Sequence, residues 1–410
     1  MKKVVIIGGG FAGLNAAKTL GNTDFEVILL DRQNHHLFQP LLYQVASAVL
    51  SPSDIAVAFR QELRRFPNIQ VFLTEVSDIN LDARQVISTD GHSFKFDYLM
   101  VSVGAKHSYF GHPEWATFAP GLKTLADAIH LRETILCSFE KAEKESDPAT
   151  IQALLTFVII GGGPTGVEMA GAIAEIAQIT MSKNFRHINP SLTRVFLIEA
   201  APQILPVYPK SLGKKAVTFL ERLGVTVKAG QAVTLISEHH VELGNEHIDA
   251  HTIIWAAGNQ ASPLLTHLNT PLDRQGRVIV RPDLSIERDP NIFVVGDAAH
   301  VTDPHGNPLP ALAPVAIQAG TYVGKIIKQG LPREIRRPFR YFDRGSLATI
   351  GKSKAVGLIG PLPVSGLFAW LAWSFIHILY LIDFQNRIIV FLEWVFAYFF
   401  NKRGARLIVK

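Results

Sequence analysis

The sequence predicts an α/β protein: two parallel-sheet domains of one plan, followed by an amphipathic helical C-terminal segment. Three observations predict it. The pattern VVIIGGGFAGLNAA at 4–17 returns as FVIIGGGPTGVEMA at 157–170, an offset of 153 between Gly8 and Gly161. Each copy has a later companion, YLMVSVGA reaching Gly104 and TIIWAAG reaching Gly258, offset by 154. Aromatic residues and positive charge gather in the last fifth of the chain.

Within each copy, a short apolar run precedes a glycine turn and then a helix-period pattern. That order is the signature of a parallel strand feeding a helix. In the first copy, Gly8, Gly10 and Gly13 follow the run at 4–7, and Asp31 ends the next strand, EVILLD. Such glycines allow a tight turn and close approach of a pyrophosphate to a helix N-terminus, while the acid accepts a ribose hydroxyl. Strand, turn, helix and acid together predict a dinucleotide site. Residues 122–145 read as a helix linking the halves, with its charged end EKAEKESDP as a solvated loop.

The second copy runs from about 151 to 258. Gly161, Gly163 and Gly166 repeat the turn, and Glu199 ends the strand VFLIEA, 38 residues after Gly161. That spacing exceeds the usual ~20, so a longer helix and loop are expected. An acid there favours the free 2′-hydroxyl of NADH over a 2′-phosphate. The alternative is a Glu capping a strand end. Two dinucleotide sites in one chain imply a flavin and a nicotinamide. NIFVVGDAA at 291–299 reads as another buried strand, with Asp297 reaching a flavin ribityl chain and the following helix aimed at the ring. The alternative is an Asp N-cap. Residues 310–330 read as a helix, and the polar stretch 331–338 as a boundary.

Composition limits the function. A 410-residue chain that is 48% hydrophobic and 18% charged is neither disordered nor fibrous. Its one cysteine, Cys137, excludes an internal disulfide, a CxxC pair and a cysteine metal cage. No metal site is assigned, and redox chemistry falls to a bound cofactor. The net charge of +5 is uneven: residues 331–410 hold 12 Lys/Arg against four acids, which leaves the rest at −3. Twelve of the 38 aromatic residues lie within 366–400. Two apolar runs there, 367–382 and 388–400, are separated by Asp383, Gln385, Asn386 and Arg387. The first would be roughly 24 Å long as a helix, short of a ~30 Å hydrocarbon core. Basic flanks and Trp/Tyr belts fit a helix lying in one leaflet. A buried dimer or core helix and a single span are the alternatives. Nucleic-acid binding is not expected, since the basic residues interleave with an apolar tail and no recognition module is visible. Lys2 and Lys3 precede a strand and not a signal peptide, so a prokaryotic cytoplasmic origin, or a chain whose presequence has been removed, is expected.

These pieces, with HHLFQPLLYQVA, GGGPTGVEMAG, VVGDAA and FRYFDRGSLATIGKSKAVG, resemble the type II NADH:quinone oxidoreductases along essentially the whole chain. The resemblance implies two Rossmann-like domains of glutathione-reductase type. An FAD-binding domain would span 1–113 and 259–330, an NADH-binding domain 114–258, and a membrane-anchoring, quinone-access region 331–410. It implies FAD contacts at Gly8, Gly9, Gly10, Phe11, Ala12, Gly13, Asp31, Arg32, Val76, Asp297, Ala316 and Ile317. NADH contacts would be Gly161, Gly163, Gly166, Glu199 and Gly258. Glu168, expected in the first turn of the second helix, becomes the catalytic candidate, with favouring the helix dipole as the alternative. Around the quinone, Gln318 keeps one glutamine of the family's Ala-Gln-x-Ala-x-Gln pattern, while Pro314 replaces the other. Arg387 matches a basic position near the quinone, or is a snorkelling interfacial arginine.

The implied activity is hydride transfer from NADH to FAD, then two electrons to a membrane quinone without proton pumping. The implied place is peripheral, on the cytoplasmic face of a prokaryotic inner membrane, with a homodimer as the family's frequent state. Rival readings are a sulfide:quinone oxidoreductase, which needs at least two cysteines; a soluble flavin reductase, which the aromatic tail opposes; and a non-enzymatic NADH-sensing flavoprotein of the apoptosis-inducing-factor type.

Overall fold

The computed structural model describes residues 1–400 and 403–408; Lys402 and Lys410 of the basic tail lie outside them. The chain forms two compact units. One comprises 1–37, 56–106 and 259–343, the other 38–55, 107–258 and 344–410.

In the first unit, five parallel strands run in the order Ile292–Val294, Tyr98–Val101, Lys2–Ile7, Phe25–Asp31, Ile69–Leu73. Val5, Ile7, Leu30, Leu99 and Val294 enter one apolar core. Central strands of a parallel sheet are covered on both faces, so they read as unbroken apolar runs. Helix Phe11–Leu20 leaves the glycine turn, and helix Ala313–Gln329 packs against it. A side chain at Gly320 would lie 2.1 Å from Ala12 O, so only glycine permits this approach.

The second unit repeats the plan with Val225–Ala229, Arg194–Glu199, Thr156–Ile160 and Thr252–Trp255, again parallel. An antiparallel meander, Gly345–Thr349, Ala355–Ile359 and Leu362–Gly366, leads into two helices, Leu367–Tyr380 and Phe384–Phe400.

Four expectations change. The linking helix is Leu125–Lys144, opened by a Thr124–Asp127 capping box, and its charged end is helical through Lys144. A second helix then starts at Pro148, capped by Asp147. The loop is thus only a few residues long, because Lys and Glu are good helix formers. The boundary expected at 331–338 falls later, after 343, so that stretch belongs to the first unit. Arg336 donates to Asp283 (3.0 Å) and Pro290 O, and Arg333 to Ile286 O, so this stretch is tied to the first unit. The motif VVGDAA is followed by a single 3-10 turn, Gly296–Ala298, and the α-helix waits until Ala313. The break between the C-terminal helices is confined to 381–383, with Asp383 at φ +72°, so Gln385 to Arg387 lie in the first turn of the second helix.

Candidate functional site

The two glycine turns are built alike. Gly8 (φ +93°) and Gly161 (φ +113°) adopt backbone open to glycine, and each donates to the neighbouring strand, at Leu30 O and Ile198 O, both 2.8 Å. A side chain at Gly13 or Gly166 would come 1.8 Å from the carbonyl of Gly8 or Gly161. The middle of each motif differs: beside Gly10 and Gly163 the space is open. That open side, at the start of a helix, fits the close approach of a pyrophosphate.

The strand-end acids also match. Asp31 accepts from Gly9 N (2.6 Å) and Gln33 N (2.7 Å), and Glu199 from Gly162 N (2.6 Å) and Ala201 N (2.7 Å). Each carboxylate therefore braces its glycine turn as well as ending its strand. Burial pushes the Asp31 carboxyl up, against the pull of the two N–H donors. Gly162 was missed by sequence reasoning, although its place matches Gly9. The 38-residue gap to Glu199 is filled by helix Pro164–Glu175, a π-helical turn Ile176–Thr180 and a loop.

The structure brings Gly296, Asp297 and Ala316 toward the first turn. A side chain at Gly296 would lie 3.8 Å from Ala12 Cβ and 3.6 Å from Ala316 Cβ. Gly296, Asp297 and Ala316 line one cavity with Arg277. Phe11 meets the buried His36 ring edge-on at 5.0 Å, and burial lowers His36 to about 4. Ile317 is half-buried one residue beyond Ala316, Arg32 is exposed after Asp31, and Val76 packs against the sheet core from a separate strand. In the second unit Gly258 (φ +68°) faces Phe110 and Ser108, while Gly161 abuts the chain at Ala256. An adenine dinucleotide thus fits each turn.

Glu168 is the fifth residue of helix Pro164–Glu175, in the second turn and not the first. It is 9% exposed, its Oε1 accepts weakly from Thr349 N (3.4 Å), and burial holds its carboxyl well above the usual range. A helix dipole acts mainly on the first turn, which weakens the dipole alternative for a residue in the second. Glu168 opens onto a cavity of about 110 Å³, whose lining includes Tyr43, Thr349, Trp370, Trp373 and Tyr398. The Trp373 indole N–H is buried and without an acceptor. Trp373 stacks on His377 at 4.3 Å, and burial lowers His377 to about 4, leaving it neutral. Sequence reasoning missed Tyr43, Trp373 and Arg403. Arg403 binds Glu175 (3.2 Å) and Ser47 O (2.7 Å).

The three quinone candidates do not share this cavity. Gln318 holds both backbone groups of Phe342, Nε2 donating to its O (3.0 Å) and Oε1 accepting from its N (2.9 Å). Pro314 is the second residue of its helix, where a missing N–H costs nothing. Arg387 Nε donates to Leu381 O (2.7 Å), closing the turn between the C-terminal helices.

Residues 2–320 match the family model described as pyridine nucleotide-disulphide oxidoreductase, and 344–403 match the NDH2 C-terminal domain. The type II NADH:quinone oxidoreductase Ndh of Mycobacterium tuberculosis is 45% identical, over 98% of this chain and 89% of its own. A type II NADH:quinone oxidoreductase of Staphylococcus aureus is 29% identical over 89% and 91%. Among solved structures, NDH2 from Plasmodium falciparum in complex with NADH has a TM-score of 0.89, at 19% identity and full coverage of both chains. The sulfide:quinone oxidoreductase of Aquifex aeolicus has 0.74, at 19% identity, covering 98% of this chain and 96% of its own. At such identities these two establish the fold alone.

Proposed function

The chain belongs to the pyridine nucleotide-disulphide oxidoreductases and, within them, to the type II NADH:quinone oxidoreductases, and on that premise we propose that it oxidises NADH and reduces a membrane quinone without pumping protons. Bound FAD would supply the two-electron redox chemistry that links NADH to the quinone. The first unit would hold FAD through the Gly8–Gly13 turn, Asp31, Gly296, Asp297 and Ala316. The second holds NADH through the Gly161–Gly166 turn, Glu199 and Gly258. The carboxylate of Glu199 disfavours a 2′-phosphate by charge.

The observation that carries this reading is the buried Glu168 carboxyl on an aromatic-lined cavity. Reducing a quinone to a quinol consumes two protons. Burial holds the Glu168 carboxyl well above the usual range beside the aromatic rings of the cavity, which suits a general acid. The unpaired Trp373 N–H offers a hydrogen bond to a quinone carbonyl. The C-terminal helices turn apolar stripes outward, with Phe368, Phe375, Phe384 and Phe399 each more than 60% exposed. Among the described residues no helix is long and apolar enough to cross a membrane. Such helices suit a bilayer surface, with the basic tail toward anionic headgroups of a cytoplasmic leaflet.

The test is anaerobic. NADH should bleach the flavin absorbance of the purified holoprotein, a short-chain quinone should restore it, and NADPH at equal concentration should react at least about tenfold more slowly. Absence of bleaching by NADH ends the reading.

A further inference from the structure

The geometry points to a divalent transition-metal site, with zinc as the reference ion, on the hairpin of strands His240–Leu243 and Glu246–Asp249 in the second unit. The hairpin's inner face, Val241, Leu243 and Ile248, joins the apolar core beneath the parallel sheet. Alternation along a strand then puts His240, Glu242, His247 and Asp249 on the outer face. Register completes the patch: Glu242 pairs with His247, and His240 with Asp249. Four side chains of metal-ligand type therefore occupy a two-by-two array.

Distances support coordination. One ligand atom each from His240, Glu242 and His247 lie within 4.8 Å of one another. His240 Nε2 is 3.7 Å from Glu242 Oε1, and the two imidazole centroids are 4.4 Å apart. Ligand atoms around a tetrahedral zinc stand about 3.4 Å apart, given bonds near 2.0–2.1 Å. Small rotamer changes on an exposed surface close that difference. Ser237 Oγ sits 2.7 Å from His240 Nδ1, which orients the ring and leaves Nε2 for a ligand. Asp249 Oδ1 lies 2.8 Å from His247 Nε2, placed to orient that ring or to fill a fourth position. Two imidazoles with carboxylate and no thiolate select zinc, nickel or copper over magnesium and calcium. The plain alternative is a pair of surface His–acid contacts, worth little in themselves. It does not account for a hydroxyl holding His240 by the nitrogen that faces away from Glu242.

Bound metal would clamp the two strands of a hairpin whose other face is core. The test is calorimetric titration of untagged, flavin-loaded protein with zinc chloride, with magnesium chloride as control. One saturable zinc site is expected, with a raised melting temperature. His240→Ala or His247→Ala should weaken it at least about tenfold while keeping flavin content and NADH oxidation without metal. No saturable heat, or equal zinc binding by the His240→Ala/His247→Ala double variant, overturns the proposal. Flavin content and zinc heat are independent of quinone activity, so failure here is distinct from failure of the proposed function.

Discussion

Glu168 is an acid held where an anion is costly. In the unfolded chain it ionises near the usual carboxyl range; in the folded chain it stays protonated to higher pH. The folded state therefore binds the extra proton, and stability falls as pH rises above the unfolded value, by about 1.4 kcal/mol per unit until the folded value is passed. Glu168→Gln removes this cost. In melting curves from pH 5 to 8 the variant should gain on the parent as pH rises. In stopped flow, bleaching by NADH should persist while reoxidation by quinone slows about 100-fold. A variant with unchanged reoxidation takes Glu168 off the catalytic list. The sequence located this residue but not its state, because burial comes from Thr349 and the C-terminal aromatics, about 180 residues or more along the chain. Gln318 shows the converse. Its type is that of a ligand contact, yet its amide is committed to Phe342.

At the scale of elements, the C-terminal helices invert the usual pattern. In helix Leu367–Tyr380, Phe368, Leu371, Phe375 and Leu379 face out at helical spacing, while Ala369 and Trp373 face in. In helix Phe384–Phe400, Phe384, Ile388, Leu392, Phe396 and Phe399 do the same. The composition of this segment was legible, but its two stripes were not, since a run apolar on all sides does not say which side is covered. Changing Phe368, Phe375, Phe384 and Phe391 to Ser should release the protein from vesicles containing anionic lipid. Flotation would show loss of most bound protein, with NADH oxidation by a water-soluble acceptor retained. Unchanged flotation, or a stable dimer that ignores vesicles, sinks the membrane assignment.

At the scale of the molecule, one buried tie fastens the chain's end. Arg403 is paired with Glu175, with side chains 7% and 16% exposed, and Glu175 also accepts from Lys352 N (2.5 Å). Breaking a buried pair from one side strands a charge, typically at about 3–5 kcal/mol. The Lys352 N–H stays in place, so Arg403→Met should cost nearer the lower figure in denaturant unfolding of the second unit. The double variant Glu175→Gln/Arg403→Met should recover part of that loss. Equal stability of parent and Arg403→Met would show that the tie contributes nothing.

The sequence by itself determined the two nucleotide turns. Their requirements are local: a strand, a glycine with positive φ, a helix start and an acid within 40 residues, each readable from spacing and side-chain type. It also determined the basic, aromatic character of the tail. Tertiary structure decided how these parts are used. It placed 38–55 and 344–410 in one unit with the second nucleotide turn. It also built the cavity beside Glu168 and committed the side chain of Gln318 to the backbone of Phe342. Such outcomes depend on which distant surfaces exclude water together, and contacts between residues far apart in the chain leave no periodic trace in it.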